Sequence, residues 1–291
     1  MPGEGKPPVK DGKTRPKMPT FLGLHAQPSR PLQVMLALLP FIALVCVYLG
    51  VSEMRYRNNP ADKVVPTLGK MAEGVNQVAF TEDKRTGKVL LWDDTLSSLK
   101  RLGTGIGCAA VLALLAGLNM GLFPGVRNLS LAFITFVSII PPLAILPILF
   151  IVFGVEETAK VVLIFIGTFP MITRGVYLAA RKIPTEQIFK ALTLGASQFA
   201  VAYRIVLPQI MPCLIDSTRL SLGAAWLFLI ASEAIASTDG LGYRIYLVRR
   251  YLAMDIIIPY VLWITLLGFL FDRLLQAWIS KRYSWYLVTK E

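Results

Sequence analysis

The sequence contains few charged residues, one histidine and three cysteines. Asp, Glu, Lys and Arg account for 16% of the 291 residues, whereas an ordinary soluble domain has about 25%. His25 has no other metal-ligand type beside it, which argues against a His/Cys metal centre and a histidine-based catalytic pair. Cys46, Cys108 and Cys213 all lie in apolar runs and cannot form a disulfide framework. These shortages exclude a typical soluble protein and disfavour most hydrolytic chemistry.

The excess of basic residues does not indicate a nucleic-acid-binding protein. The formal net charge is +12, but a nucleic-acid interface needs basic residues gathered on one polar surface with stacking aromatics nearby. Here the basic residues lie between apolar blocks, and hydrophobic residues make up 55% of the chain. The mean hydropathy is +0.59. The composition indicates a membrane protein surrounded by lipid.

Six apolar segments are long enough, at about 20 residues, to cross the hydrocarbon core of a bilayer. They lie near residues 31–52, 102–122, 129–153, 158–179, 213–236 and 256–279. The sequence therefore predicts an all-α fold, a polytopic bundle of about six transmembrane helices.

The basic residues also predict how the chain is threaded. The first 30 residues contain six Lys or Arg against two acids, and such an excess beside a first helix is typical of the cytoplasmic side. With six spans, both termini are then cytoplasmic. We divide the chain into a basic tail, 1–30, a first transmembrane helix with an outer loop, 31–101, a membrane core, 102–281, which contains a cytoplasmic loop, 181–212, and a cytoplasmic C-terminus, 282–291.

The outer loop contains the pattern of an amphipathic helix. Val64, Leu68, Met71, Val75 and Val78 recur at spacings of four and three, which places them in one stripe on a helix. This helix either packs on the membrane domain or offers a docking surface to an outside partner.

Prolines interrupt the third span. Pro141, Pro142 and Pro147 stand in the run IIPPLAILP, and each removes an intrahelical hydrogen bond, so we expect a kinked or broken helix. Irregular backbone at membrane depth is tolerated where protein or an aqueous cavity satisfies it. Pro141 and Pro142 are therefore candidates for a solute pathway or gate, with a structural kink as the alternative.

One face of the fifth span is the most informative part of the membrane core. At spacings of three and four it carries Asp216, Arg219, Gly223, Trp226, Ile230 and Glu233. Ionisable side chains inside a span cost about 2.5–3.5 kcal/mol on insertion scales and normally face the bundle interior or water. Arg219, Trp226, Ile230 and Glu233 are the pathway or gate candidates. The alternative for Glu233 is an acid that is buried and bonded to a neighbouring helix or that lies near the outer headgroups. Asp216 can pair with Arg219 at i,i+3.

The loop between the fourth and fifth spans has the pattern of two short helices. Pro184 suits a first helical turn, and Gly195 is placed to end the first helix. Ser197 can cap a second helix that ends before Pro208. We call this pair of short helices, which meet at Gly195, the elbow. A partly apolar helical surface of this kind beside the membrane predicts a protein partner.

The end of this loop resembles the signature loop of the membrane subunits of bacterial ABC importers. Gly195 is followed by nine residues and then by Ile205-Val206-Leu207-Pro208, as in the family pattern Glu-Ala-Ala-xxx-Gly-x9-Ile-x-Leu-Pro. Phe189-Lys190-Ala191 stands in place of Glu-Ala-Ala. The similarity extends over residues 95–280, where PPLAILP, GVEETAK and ASEAIASTDGLG look like the nitrate, sulfonate, taurine and bicarbonate branch of the type I importers.

The resemblance implies a permease subunit of a bacterial inner (plasma) membrane importer, paired with a second copy of itself. The two copies would line one path for a small oxyanion or organic acid such as nitrate, sulfonate, taurine or bicarbonate. An outer solute-binding protein would deliver the solute. By the resemblance, the contact with a cytoplasmic ATPase comprises Glu186, Lys190, Ala191, Leu192, Gly195, Ala196 and Ser197.

The resemblance also implies that the chain is a non-enzymatic subunit that binds no cofactor or metal. Gly12-Lys13-Thr14 lacks the earlier glycine of a phosphate-binding loop, so ATP with Mg²⁺ is used by the partner ATPase. An ion-coupled secondary transporter that uses Glu233 is the alternative, although many such folds contain paired broken helices and the sequence shows one proline-broken span. A membrane-embedded enzyme needs clustered His, Asp or Ser groups, and the ionisable residues here stand singly.

Overall fold

The computed structural model describes residues 29–59, 63–83 and 87–288, and these residues form helices and connecting turns without a β-strand. The chain divides into two compact units, Met1–Pro60 and Ala61–Glu291. The predicted basic tail lies outside the described residues except for its last two positions, as do the last three residues of the C-terminus. The all-α prediction is confirmed for the described part of the chain.

The first unit contains α1 (Arg30–Asn58). The helices of the second unit are α2 (Leu68–Ala79), α3 (Leu90–Leu122), α4 (Pro124–Ile139), α5 (Leu146–Phe153), α6 (Glu157–Arg181), α7 (Thr185–Thr193), α8 (Gln198–Ala200), α9 (Leu207–Ile235), α10 (Leu241–Arg249), α11 (Met254–Arg282) and α12 (Ser284–Val288). Among the described residues, five helical stretches are long and apolar enough to cross a membrane, or six if the bent pair of α4 and 142–153 crosses as one. The predicted number of spans is thereby confirmed.

Helices α3, α6 and α9 pack against one another at the centre of the second unit. Glycines bring α3 close to α6, because a Cβ atom on Gly117 would lie 2.8 Å from the carbonyl oxygen of Thr173, and Gly105 is similarly close to Ile164. Small residues at such positions let membrane helices approach at the backbone. The apolar core of the unit forms along these contacts.

The prolines break the third predicted span. Helix α4 ends at Ile139, and Ile140 and Pro141 have extended backbone, with ψ angles of 123° and 116°. A residue before a proline is disfavoured in the α region, which explains two extended residues in a row. A 3₁₀ turn starts at Pro142 and leads into α5, and the two arms meet at 82°. The expected interruption is confirmed, and it is a sharp bend.

The amphipathic helix of the outer loop is α2, which packs on α11 and α3. A Cβ atom on Gly74 would lie 2.7 Å from the carbonyl oxygen of Asp255, so the two helices touch at the backbone. Thr67 caps α2, and Val64 therefore precedes the helix. The position of α2 matches the first interpretation of the stripe, a short helix packed on the membrane domain.

The prediction that the second helix of the elbow ends before Pro208 was wrong. A π-helical segment, Val201–Val206, connects α8 directly to α9, and the helix runs without interruption from Gln198 to Ile235. The N–H of Leu207 donates to the carbonyl of Ala202, five residues earlier. A π turn shifts the hydrogen-bond register, so the helix continues past Pro208, which has no N–H to donate.

Candidate functional site

The first end of the elbow is a turn that requires a glycine. Gly195 has a φ of +85°, a conformation that costs residues with a Cβ about 1–2 kcal/mol. Its N–H donates to the carbonyl of Leu192, and the N–H of Ala196 donates to the carbonyl of Ala191, both at 3.0 Å. This pair of bonds is the Schellman motif, which ends a helix. The prediction that Gly195 ends α7 is confirmed.

The second end of the elbow begins with a cap. The Oγ of Ser197 accepts a hydrogen bond from the N–H of Ala200 at 3.2 Å, as predicted for this position. The helix that begins here continues through the π-helical segment and α9 to Ile235. One helix therefore joins the elbow to the far end of the bundle.

The elbow exposes apolar side chains on its outer side. No residue of α7 is buried, and Leu194 and Phe199 are 88% and 70% exposed. The predicted contact residues Glu186, Lys190, Leu192, Gly195 and Ser197 are exposed, and Ala191 and Ala196 are half-buried. On the inner side, Ala191 and Ala196 pack with Ile188 against the core. The arrangement leaves an outward surface suited to a protein contact.

The two ionisable residues near the start of α9 form an ion pair. Arg219 Nη2 lies 3.0 Å from Asp216 Oδ1, which confirms the predicted i,i+3 pair, and Arg219 Nη1 lies 3.5 Å from Asp272 Oδ1 of α11. Further along the same helix, Trp226 is buried and Ile230 half-buried against the core that α11 completes.

Glu233 is fully buried at the end of α9. Its Oε1 accepts hydrogen bonds from Arg101 Nη1 at 2.7 Å and Ser98 Oγ at 2.8 Å. Its Oε2 accepts from the N–H of Gly242 at 2.8 Å. Each carboxylate oxygen is thus bonded, and the position matches the structural alternative for Glu233, a buried acid held by a neighbouring helix.

Arg101 is the buried centre of a charged group, the Arg101 cluster, which comprises Ser98, Arg101, Glu157, Lys160, Glu233 and Asp239. The side chains of Glu157 and Asp239 are 62% and 39% exposed. Arg101 pairs with Glu157 through two nitrogens, at 2.5 and 2.7 Å, and with Asp239. Lys160 Nζ lies 3.2 Å from Glu157 Oε1. Burial raises the pKa of Asp239, but the hydrogen bond and charge of Arg101 outweigh this effect and hold that pKa below its ordinary value.

A second buried acid extends the cluster toward α10 and α11. Asp94 Oδ2 accepts from Arg244 Nε at 2.8 Å and from Tyr260 Oη at 3.1 Å, and Asp94 Oδ1 accepts from the N–H of Gly240 at 3.0 Å. These bonds fix the turn between α9 and α10 to the start of α3. Glu157 begins α6 and Arg181 ends it, about 36 Å away, so the cluster and the elbow lie at opposite ends of the bundle.

The structure separates the predicted site residues into four regions. The ATPase-contact candidates gather at the elbow, Glu233 lies in the Arg101 cluster, and Pro141 and Pro142 form the bend between α4 and α5. Arg219, Trp226 and Ile230 lie along α9. Sequence reasoning missed Arg101 and Asp94, which fall in the segment 31–101 that it assigned to the first transmembrane helix and the outer loop. The segment ASEAIASTDGLG signalled their partners, since it contains Glu233 and Asp239. Among residues 29–59, 63–83 and 87–288, no group of three His, Cys, Asp or Glu is placed to hold a metal ion.

Fold and elbow together define the membrane subunit of a transporter. Residues 109–285 match the family described as the binding-protein-dependent transport system inner membrane component. The chain belongs to this family and is an ABC transporter permease, a multi-pass inner membrane protein.

Within this family, the chain is similar to permeases that are named for particular solutes. It is 31% identical over 196 residues to the taurine transport system permease protein TauC of Escherichia coli (strain K12), covering 67% of this chain and 71% of TauC. It is 30% identical over 198 residues to the bicarbonate transport system permease protein CmpB of Synechococcus elongatus, with coverage of 67% and 71%. The relatives confirm the resemblance to this branch of the importers and do not favour an ion-coupled secondary transporter.

The fold also matches a solved transporter. A chain of the MetNI methionine ABC transporter in an inward-facing conformation aligns with a TM-score of 0.53 and 22% identity, over 65% of this chain and 95% of that chain. The likeness concerns the fold, which is that of a type I importer permease.

Proposed function

We propose that the chain forms half of the transmembrane path of an ATP-driven importer for a small oxyanion or organic acid. Relatives named for taurine and bicarbonate support this solute class. In the proposed assembly, two copies of the chain line the path, and an outer solute-binding protein delivers the solute. The permease core, 102–281, carries the path, and both termini face the cytoplasm.

The exposed elbow is the observation that carries this proposal. Leu194 and Phe199 present apolar surface beside the charged Glu186 and Lys190. A partner that covers this surface can push on α7, and the continuous helix from Gln198 to Ile235 transmits the movement. The partner is an ATPase that binds ATP with Mg²⁺, and this chain contributes no catalytic group.

The pathway candidates take different parts in this scheme. The bend at Pro141 and Pro142 lets α4 move relative to α5. The face of α9 that carries Arg219 and Trp226 moves when the elbow is displaced. Ile230 and Glu233 lie near the opposite end, where the Arg101 cluster holds α9 to α3 and α6. ATP-dependent movement then opens one end of the path while the other stays closed.

Copurification with a matched pair of variants tests the elbow. Gly195→Trp and Gly154→Trp both replace a glycine of positive φ, at +85° and +78°. A Cβ atom added to either glycine would have no other atom within 4 Å. Gly154 follows α5, at the end of the bundle opposite the elbow. The tagged chain is purified from mildly solubilised membranes, and copurifying chains are identified by mass spectrometry.

We expect a nucleotide-binding ATPase to copurify with the wild type and Gly154→Trp and to be lost in Gly195→Trp. Retention of the ATPase by Gly195→Trp, together with unchanged uptake, would contradict the elbow assignment. A wild-type chain that copurifies with no ATPase would contradict the proposed function.

A further inference from the structure

Arg174 is a charged residue inside α6 without a counter-charge. It lies seven residues before Arg181, the last residue of the helix, and so about 10 Å from that end. Across the described ranges, Arg174 makes no ion pair and no hydrogen bond. An ionisable side chain at this depth is costly, and such residues normally mark a solute pathway when structure does not pair them.

Two other arginines inside the long helices of the core, Arg219 and Arg273, are engaged. Arg219 pairs with Asp216 and Asp272. Arg273 donates to Gln276 at 3.2 Å and stacks its guanidinium on an aromatic ring. The free guanidinium of Arg174 is therefore a distinct feature of α6.

Arg174 lines a cavity of about 260 Å³ between α3, α4 and α6. This is smaller than the roughly 300–1,000 Å³ of pockets for drug-sized ligands, and so it suits a small solute. Its lining comprises Met120, Leu131, Ile134, Thr135, Ser138, Pro170, Thr173, Arg174, Tyr177 and Leu178. No carboxylate belongs to this lining, so the cavity is positively charged.

The hydrogen-bond donors of the cavity are limited to two side chains. Thr135, Ser138 and Thr173 each donate their hydroxyl proton to a carbonyl of their own helix. Tyr177 Oη instead accepts a bond from Arg181 Nη1 at 3.2 Å, which leaves its own proton for a ligand. Arg174 and Tyr177 are three residues apart on one face of α6 and can donate together.

We propose that Arg174 and Tyr177 bind the anionic oxygen group of the transported solute in this cavity. The assignment rests on the proposed function and names its binding site. Guanidinium groups bind planar and tetrahedral oxyanions through paired N–H donors. The α4 wall of the cavity ends at the bend before Pro141, so movement of α4 changes access to the bound solute. A phosphate of an anionic lipid has the same chemistry, because Arg174 is exposed on this chain whereas Tyr177 is only 6% exposed, and the second measurement below distinguishes the two ligands.

The first test measures uptake by the complete transporter. The full chain, its ATPase and its binding protein are reconstituted, and ATP-driven uptake of labelled taurine, bicarbonate and nitrate is measured for wild type, Arg174→Gln, Arg174→Lys and Tyr177→Phe. Arg273→Gln removes one charge from another membrane helix and serves as the control.

We expect Arg174→Gln to lower the maximal rate of ATP-driven uptake about tenfold or more, since it removes a charge-assisted hydrogen bond to the solute. Arg174→Lys and Tyr177→Phe should show smaller losses, and Arg273→Gln should match the wild type. An unchanged maximal rate in Arg174→Gln overturns the site and leaves the proposed function standing. A wild type that transports none of the three solutes overturns the proposed solute class and the site with it.

A second measurement distinguishes binding of the solute from binding of an anionic lipid, and it does not need transport. Each variant is placed in nanodiscs of phosphatidylcholine, and its melting temperature is measured with and without the anion that the wild type transports. We expect stabilisation of wild type and Arg273→Gln, a weaker effect in Tyr177→Phe and none in Arg174→Gln. If the anion has no effect on the wild type, while phosphatidylglycerol stabilises it through Arg174, the residue binds lipid and the proposal is wrong.

Discussion

Arg101 Nη1 lies 2.7 Å from Glu233 Oε1, and both side chains are almost completely buried although 132 residues separate them in the chain. Removing two charges from water costs several kcal/mol per ion, and the attraction recovers this cost only where further hydrogen bonds satisfy both groups. Ser98 and the N–H of Gly242 supply these bonds to Glu233. The pair therefore ties α9 to α3 at the end of the bundle opposite the elbow.

Arg101→Met should destabilise the protein by about 3–5 kcal/mol, because it leaves Glu233 buried without its cation. Lys100→Met is the control, since Lys100 is exposed, and a surface change of this kind is usually within about 0.5 kcal/mol. Denaturant unfolding of the purified protein in detergent measures both. Adding Glu233→Leu to Arg101→Met should recover part of the loss, whereas equal losses in Lys100→Met and Arg101→Met would contradict a central role for the pair.

Asp239 should make stability depend on pH in acid. Because Arg101 holds the pKa of Asp239 below its ordinary value despite burial, the folded state binds this proton less readily than the unfolded state. The contribution is present at neutral pH, begins to weaken as the pH falls through the ordinary aspartate pKa of about 4 and is lost once the pH falls through the lowered pKa. Asp239→Asn removes the ionisable group, so its melting temperature should approach that of the wild type between pH 7 and pH 3. If the difference between the two melting temperatures does not change with pH, Asp239 is not the source of the pH dependence.

The parts of the structure that follow local rules could be predicted from the sequence. Long apolar runs specify membrane helices, and Gly195 followed by Ser197 specifies the end of one helix and the cap of the next. These signals depend on neighbours within four or five residues. The elbow was found for this reason, and its ATPase partner was inferred from the resemblance of this loop to that of ABC importer permeases.

The parts that depend on distant residues could not be predicted. Arg101 falls at the edge of an apolar run, and nothing near it in sequence shows that Glu157 and Glu233 will surround it. Pro208 suggested a helix end, but a π turn lets the helix continue. Of the glycines in α3, Gly117 touches α6, whereas a Cβ atom added to Gly107 would have no other atom within 4 Å. This difference could not be predicted, because sequence spacing does not say which face of the helix meets a neighbour.

That difference between two glycines on one helix gives a direct test of packing. Gly117→Val should lose about 1–3 kcal/mol of stability, because the added atoms push α3 away from Thr173 and Val176. Gly107→Val adds the same atoms in open space and should lose little beyond any small difference in helix propensity. Melting temperatures of the two purified variants make the comparison, and a Gly117→Val protein as stable as Gly107→Val would contradict the close contact of α3 with α6.

The bend before α5 can be tested by restoring the helix. In the double variant Pro141→Ala with Pro142→Ala, the backbone N–H groups return and the restriction on the preceding residues is removed. The 82° angle between the arms should therefore decrease. Spin labels at Phe133 and Ile151, which are 64% and 84% exposed, would report a longer distance between α4 and α5.

Pro147→Ala is the matched control, because Pro147 lies in the first turn of α5, where a proline costs little. Its label distance and uptake should equal those of the wild type. If the bend is a gate, the double variant should straighten and lose uptake together, since α4 can no longer move independently of α5. Straightening with normal uptake would show that the bend is a structural kink, and an unchanged distance would show that packing against α6, rather than the two prolines, sets the angle.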